Sequence, residues 1–216
     1  DRAAAMQSRS GAAVKLSDLP RNVTTDSDRN VYIKGIPMVD QGPKGYCVVA
    51  SAQRLFEYYG IPCDQHQLAQ VADADPDQGT SSVGMSQALS KIDHRFKTRF
   101  KALGVMYTNG RMYEMGRDNR AGRELEYKDF EKHVKNYVDD GIPLLWALTL
   151  GRFPEEPAIS PQTQGGHMRM IIGYNEDSDH VVFTDSWGAG HEKKRMKMRD
   201  AFSATHGLFI MQPTTR

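Results

Sequence analysis

Gln41-Gly-Pro-Lys-Gly-Tyr-Cys47-Val-Val-Ala-Ser-Ala-Gln-Arg-Leu-Phe-Glu-Tyr-Tyr-Gly60 is a glycine-rich loop that runs straight into an amphipathic helix. Val48, Ala52, Leu55 and Tyr59 recur at helical spacing, and Val49 and Phe56 widen the apolar stripe. Gly60 followed by Pro62 is a helix stop. Cys47 therefore stands at a helix start, where unpaired backbone N–H groups and the helix dipole favour an anion. A thiol with an ordinary pKa of about 8.5 falls to about 3.5–7.5 in such a place when an imidazolium lies beside it. Free cysteines more often serve as small buried hydrophobes, so the surrounding residues decide the reading. Gln41 lies six residues before Cys47, across Gly42, Pro43 and Gly45. Its amide can fold back beside the helix start and, with the backbone N–H of Cys47, supply two donors for a developing oxyanion.

A thiol nucleophile needs a base, and seven histidines compete for the role. His66, His94 and His133 fall in helical, charged segments, and His191 and His206 in polar surroundings near the C-terminus. His167 follows Gly165-Gly166 and opens an apolar strand, which puts its ring at a strand edge open to a substrate. Residues 175–179, Asn-Glu-Asp-Ser-Asp, read as a hairpin turn between the strands 167–174 and 180–186. With Tyr174 facing His180, His167 faces Trp187, and Asp185 is its diagonal neighbour on the same face, roughly 7–8 Å away between backbones. His180 and Asp185 point to opposite faces of their strand, so Asp185 is the carboxylate expected to orient His167. A register slip of one residue would undo that assignment.

Outward from these motifs, Asp64 caps a second helix carrying Leu68, Val71 and Ala72. Ser82 is the candidate cap of a third, with Met85, Leu89 and Ile92 on one face, and a fourth runs over about 125–140 and closes at Gly141. Residues 93–124 show no clear period. Residues 143–150 read as a buried strand, 151–166 as a loop rich in proline, glutamine and glycine, and 207–212 as a final strand. Helices first and strands last predict an α+β fold with a cleft between two halves, a helical half at about 31–140 and an antiparallel β half at about 141–216. Residues 1–30 are polar and small, and read as an arm or linker ahead of a single catalytic domain at 31–216.

The bulk composition excludes several function classes. Lys plus Arg number 28 and Asp plus Glu 27, a net charge of +1 that gives no electrostatic footprint for nucleic acid. The basic run 191–199 reads as a solvated strand or loop face. No apolar run is long enough for a membrane span. Two cysteines in unlike contexts do not make a disulfide scaffold. The first residue is Asp and no signal pattern is present, so the chain reads as a processed or trimmed form.

Together, Gln41-x5-Cys47, Gly-Gly-His167 at a strand start and Asp185-Ser-Trp-Gly188 resemble the papain-like cysteine peptidases. The closer likeness is to the bacterial branch of bacteriocin-processing, double-glycine leader peptidases and their stand-alone relatives, which the Glu57-Tyr-Tyr-Gly60 helix end also resembles. The likeness covers residues 31–188. It implies a thiolate–imidazolium pair and an acyl-enzyme on a peptide or protein substrate, with no cofactor or metal. Cys47 would be the nucleophile, His167 the base and then acid, Asp185 the orienter and Gln41 the oxyanion donor. An exported setting, periplasmic or secreted, is implied at the same level. Many relatives carry Asn where this chain has Asp185, and Tyr46 precedes the nucleophile where small or polar residues are common. Three alternatives stand beside this reading. They are a catalytically silent peptide-binding domain of the same fold, an acyl-transferring relative similar to the transglutaminases, and a metal site built from Cys47, Cys63 and His66, for which no Cys-x-x-Cys or His-x-x-x-His spacing speaks.

Overall fold

Ten short strands pair into one antiparallel sheet in the computed structural model, which describes residues 14–42, 46–72, 82–96, 98–116, 118, 120–159 and 165–215. The strands are β1 (Val23–Thr25), β2 (Val31–Ile33), β3 (Arg99–Met106), β4 (Met112–Met115), β5 (Ala121–Glu124), β6 (Leu144–Leu150), β7 (Gly165–Asn175), β8 (His180–Thr184), β9 (Lys194–Lys197) and β10 (Thr205–Gln212). Their order is β1-β2-β7-β6-β10-β3-β4-β5, with β8 on β7 and β9 on β8. Helices α1 (Cys47–Tyr58), α2 (Gln65–Ala72), α3 (Ser82–Phe96), α4 (Tyr127–Asp139) and α5 (Met198–Ala204) pack around it. The α+β class read from the sequence is the architecture observed.

Burial explains why the central strands read as they do. β6 is Leu-Leu-Trp-Ala-Leu-Thr-Leu, apolar almost throughout because both its faces are covered. α1 is buried nearly all round: Cys47 to Ala52, Leu55 and Phe56 are all inside. Asp64 Oδ1 accepts from the Gln67 N–H at 2.8 Å and so caps α2, as its position suggests. Gly141 closes α4 with φ +73°, and an added Cβ there would run into the Leu19 backbone.

One expectation is corrected. Strands are not confined to the C-terminal half: β3, β4 and β5 lie within 93–124, and β3 joins the sheet through β10. β4 and β5 are four residues each and largely half-exposed or exposed, with little alternation, which hid them. The polar arm expected over 1–30 docks from residue 14 onward, where Val14 N–H donates to Tyr59 O and β1 pairs with β2. Residues 1–13 lie outside the described residues. The short α5 was not foreseen.

The hairpin register is the detail on which the site depends. At the turn Asn175 faces His180 and Tyr174 faces Val181, one residue off the expected pairing. An irregularity between Ile171 and Gly173 takes up that residue, so Ile171 faces Phe183 and Met170 faces Thr184. Beyond it the strands follow the expected register as far as Met170 and Thr184, and further along the rings of His167 and Trp187 meet.

Candidate active site

Cys47 begins α1, and its thiol lies within electrostatic reach of His167. His167 sits near the start of β7, buried, with Nε2 3.0 Å from Asp185 Oδ1. With Nε2 engaged by Asp185, Nδ1 is the ring nitrogen left for the sulfur. Trp187 stacks on the imidazole, centroids 4.5 Å apart and planes 19° from parallel. Cys47, His167 and Asp185 are thus brought together from a helix tip, a strand and the segment after a second strand.

Gln41 is also buried, and its backbone fastens the loop before α1 to the segment after β8. The Gln41 N–H donates to Ser186 O at 2.8 Å, and Gln65 Nε2 donates to Gln41 O at 3.3 Å. Its Oε1 is buried and has no hydrogen-bond partner among the described residues. Residues 43–45, part of the loop expected to fold it beside Cys47, lie outside the described residues.

The electrostatics favour separated charges. Burial alone pushes the Cys47 thiol up. The hydrogen bond and charge of His167, with the N–H groups of Met168 and Val48, outweigh it and hold the thiol below its ordinary value. Burial alone pulls the His167 imidazole down, and its bonds to Asp185 and Cys47 raise it above the usual range instead. Asp185 stays at about 2 although burial opposes its charge, because His167 and Arg169 both hold the carboxylate. Cys63 is a contrast. It is a free thiol, as Cys47 is, but burial and the nearby Glu57 and Asp64 push it up to about 12. Among the described residues no three His, Cys, Asp or Glu side chains gather as metal ligands, and no helix is long and apolar enough to cross a membrane.

Four buried charges escaped the sequence reading. Arg169, in the middle of β7, donates from Nε to Asp185 Oδ1 at 2.7 Å. Glu155, in the segment read as a plain loop, pairs with Arg169 at 2.8 Å and with Lys194 at 2.6 Å. Lys194 belongs to the run taken for a solvated face, yet its side chain is only 1% exposed. Arg54 of α1 donates from Nη2 to Thr184 Oγ1 at 2.6 Å and from Nε to Pro37 O at 2.9 Å, tying the cysteine helix to the end of β8. A signal for Arg169 was present: it lies two residues from His167 in an apolar strand and so shares its face.

A cysteine on a helix tip set against a histidine and an aspartate of an antiparallel sheet defines a papain-like cysteine peptidase. The chain belongs to the Peptidase_C39 like family, whose profile matches residues 33–208. Among solved structures it is similar to a C39-like peptidase from Bacillus anthracis, with TM-score 0.53, 13% identity, and 87% of this chain and 99% of that one covered. It is similar also to xylellain, a cysteine protease from Xylella fastidiosa, with TM-score 0.52, 14% identity, and 95% and 91% covered. A search of curated proteins by sequence returns no match.

Proposed function

We propose that this peptidase hydrolyses peptide or amide bonds by acyl transfer through Cys47, with His167 as base and acid and Asp185 as orienter. Gln41 and the Cys47 backbone N–H are the oxyanion donors. The observation that carries this is the buried His167–Asp185 bond, 3.0 Å long, behind a helix-start cysteine whose thiol the imidazole holds below its ordinary value.

The chemistry follows from the charge states. The Cys47 thiolate attacks the substrate carbonyl carbon, and as the C–S bond forms the carbonyl electrons move onto oxygen. Two positioned N–H donors stabilise that oxyanion. The His167 imidazolium gives its proton to the leaving amine nitrogen, the C–N bond breaks, and a thioester remains. Water then passes a proton to His167 and its oxygen to the acyl carbon. The thiolate departs, the acid product leaves, and the ion pair is restored. Asp185 keeps one tautomer and one ring orientation throughout, and Trp187 keeps water from the bond between them.

Cys47→Ala should lower hydrolysis of a peptide mixture by about three orders of magnitude or more, with the folded circular-dichroism spectrum unchanged. A folded Cys47→Ala protein that cleaves at close to the wild-type rate would reject the mechanism.

A further inference from the structure

Behind His167 lies a closed ring of ion pairs, of which the reaction steps above use Asp185 alone. Asp185 Oδ1 accepts from Arg169 Nε at 2.7 Å as well as from His167. Arg169 Nη2 reaches both Glu155 oxygens, at 3.0 and 2.8 Å. Lys194 Nζ lies 2.6 Å from Glu155 Oε2 and 3.5 Å from Asp185 Oδ2, which closes the ring. The Phe183 ring faces the Arg169 guanidinium at 4.3 Å, and Trp187 lies 5.9 Å from both cations. Arg169 and Asp185 have no exposed surface.

Stability alone is a poor reason for such a ring. Buried ion pairs can often be replaced by apolar side chains of similar size with little loss. What apolar side chains cannot do is hold a carboxylate charged beside an imidazole while keeping the summed local charge at zero. Arg169 by itself already balances the Asp185 charge, so any one further charge would tip the sum. Glu155 is such a charge, and Lys194 in turn offsets Glu155, so two cations and two carboxylates sum to zero. We propose that Arg169, Glu155 and Lys194 are positioning residues whose summed charge sets the pH window in which Cys47 is a thiolate and His167 an imidazolium. This rests on the peptidase reading above.

Among the described residues the other charges around the pair are few. α1 contributes Cys47 itself and Arg54, whose field reaches Asp185 and Glu192. The segment after β8 contributes His191, edge-on to Trp187 at 5.4 Å, and Glu192. Asp40 is exposed beside Gly188. β6, which pairs with β7 along this stretch, carries no charged residue. The ring is therefore the main adjustable charge behind His167.

The test is the pH profile of Cys47 alkylation by iodoacetate, an anionic reagent that reacts best with the thiolate while the imidazolium attracts it. It needs no knowledge of the substrate. The lower limb reports loss of the Cys47 proton and the upper limb loss of the His167 proton. Glu155→Gln leaves one surplus positive charge, which eases both deprotonations, so both limbs should move to lower pH. Lys194→Met leaves one surplus negative charge and should move both limbs to higher pH. Each shift is expected to be about one pH unit, the scale of one unit charge several ångströms away at an effective dielectric of ~20. The upper limb should move more, because His167 is nearer the ring. The double variant restores the charge sum and should return both limbs to their wild-type positions.

Opposite shifts with recovery in the double variant support the proposal. Limbs that stay put, shift in one common direction, or fail to recover overturn it. If one single variant does not fold, the other and the double variant decide on the same criteria. A wild-type protein whose Cys47 reacts only as an ordinary thiol would instead sink the peptidase reading itself, which keeps the two failures apart.

Discussion

The rings of His167 and Trp187 lie face to face, 4.5 Å between centroids and 19° from parallel. This contact shows how the hairpin register becomes chemistry. The register holds to the Met170–Thr184 pair, and beyond it the indole covers the imidazole to which Asp185 is hydrogen-bonded. An aromatic face also favours the protonated form of the ring it covers.

Trp187→Ala should therefore lower kcat/KM about tenfold or more, equivalent to about 1.4 kcal/mol of transition-state stabilisation. The loss should sit mainly in kcat, since the stack acts on His167. Unchanged steady-state kinetics would show that the indole does not support the imidazolium.

Gln41→Ala tests the oxyanion donor. Removing one such donor costs about 10²–10³-fold in kcat, and KM should change little. The backbone bond from Gln41 to Ser186 needs no side chain, so the fold should survive. A KM effect without a kcat effect would assign Gln41 to substrate binding instead.

Asp185 makes stability depend on pH in a defined direction. Its folded value of about 2 lies below the ordinary 3.8, so the unfolded chain binds more protons between those values. The stabilisation is present above about pH 4 and is lost as the pH falls toward 2, by about 2 kcal/mol. Urea denaturation at pH 5 and near pH 2 should show this for the wild type and less of it for Asp185→Asn. Equal pH dependence in both would contradict the assignment.

The two thiols should behave oppositely. Cys63 is pushed up to about 12 by burial, whereas Cys47 is held down by His167. Brief alkylation of the folded protein at neutral pH, followed by intact mass and peptide mapping, should find one adduct, at Cys47. Modification at both sites at similar rates would contradict this.

Gly141→Ala tests the fold rather than the chemistry. A Cβ at φ +73° is strained and would meet the Leu19 backbone, so a loss of about 1–3 kcal/mol or more is expected. Thermal melting measures it directly, and an unchanged midpoint would mean that the N-terminal segment does not pack there.

What the sequence made legible has a physical pattern. α1 was readable because its apolar stripe, its glycine stop and the loop before it all agree. The neighbourhood of His167, Asp185 and Trp187 was readable because period-two geometry relates them, although the turn is one residue shorter than expected and the irregularity near Ile172 restores the register. β4 and β5 were hidden because strands of four residues with half-exposed patterns carry almost no periodic signal. Lys194 and Glu155 were hidden for another reason. Charged residues in polar stretches ordinarily face water, and only the meeting of three distant segments gives each a buried partner.

The central claim is that Cys47 is held as a thiolate by His167 in the resting protein. The ultraviolet absorbance of the thiolate, taken as the difference between wild type and Cys47→Ala and followed across pH, measures it most directly. The account predicts that the thiolate signal is already present well below the ordinary thiol value of about 8.5. A signal that emerges only around the ordinary value would contradict it.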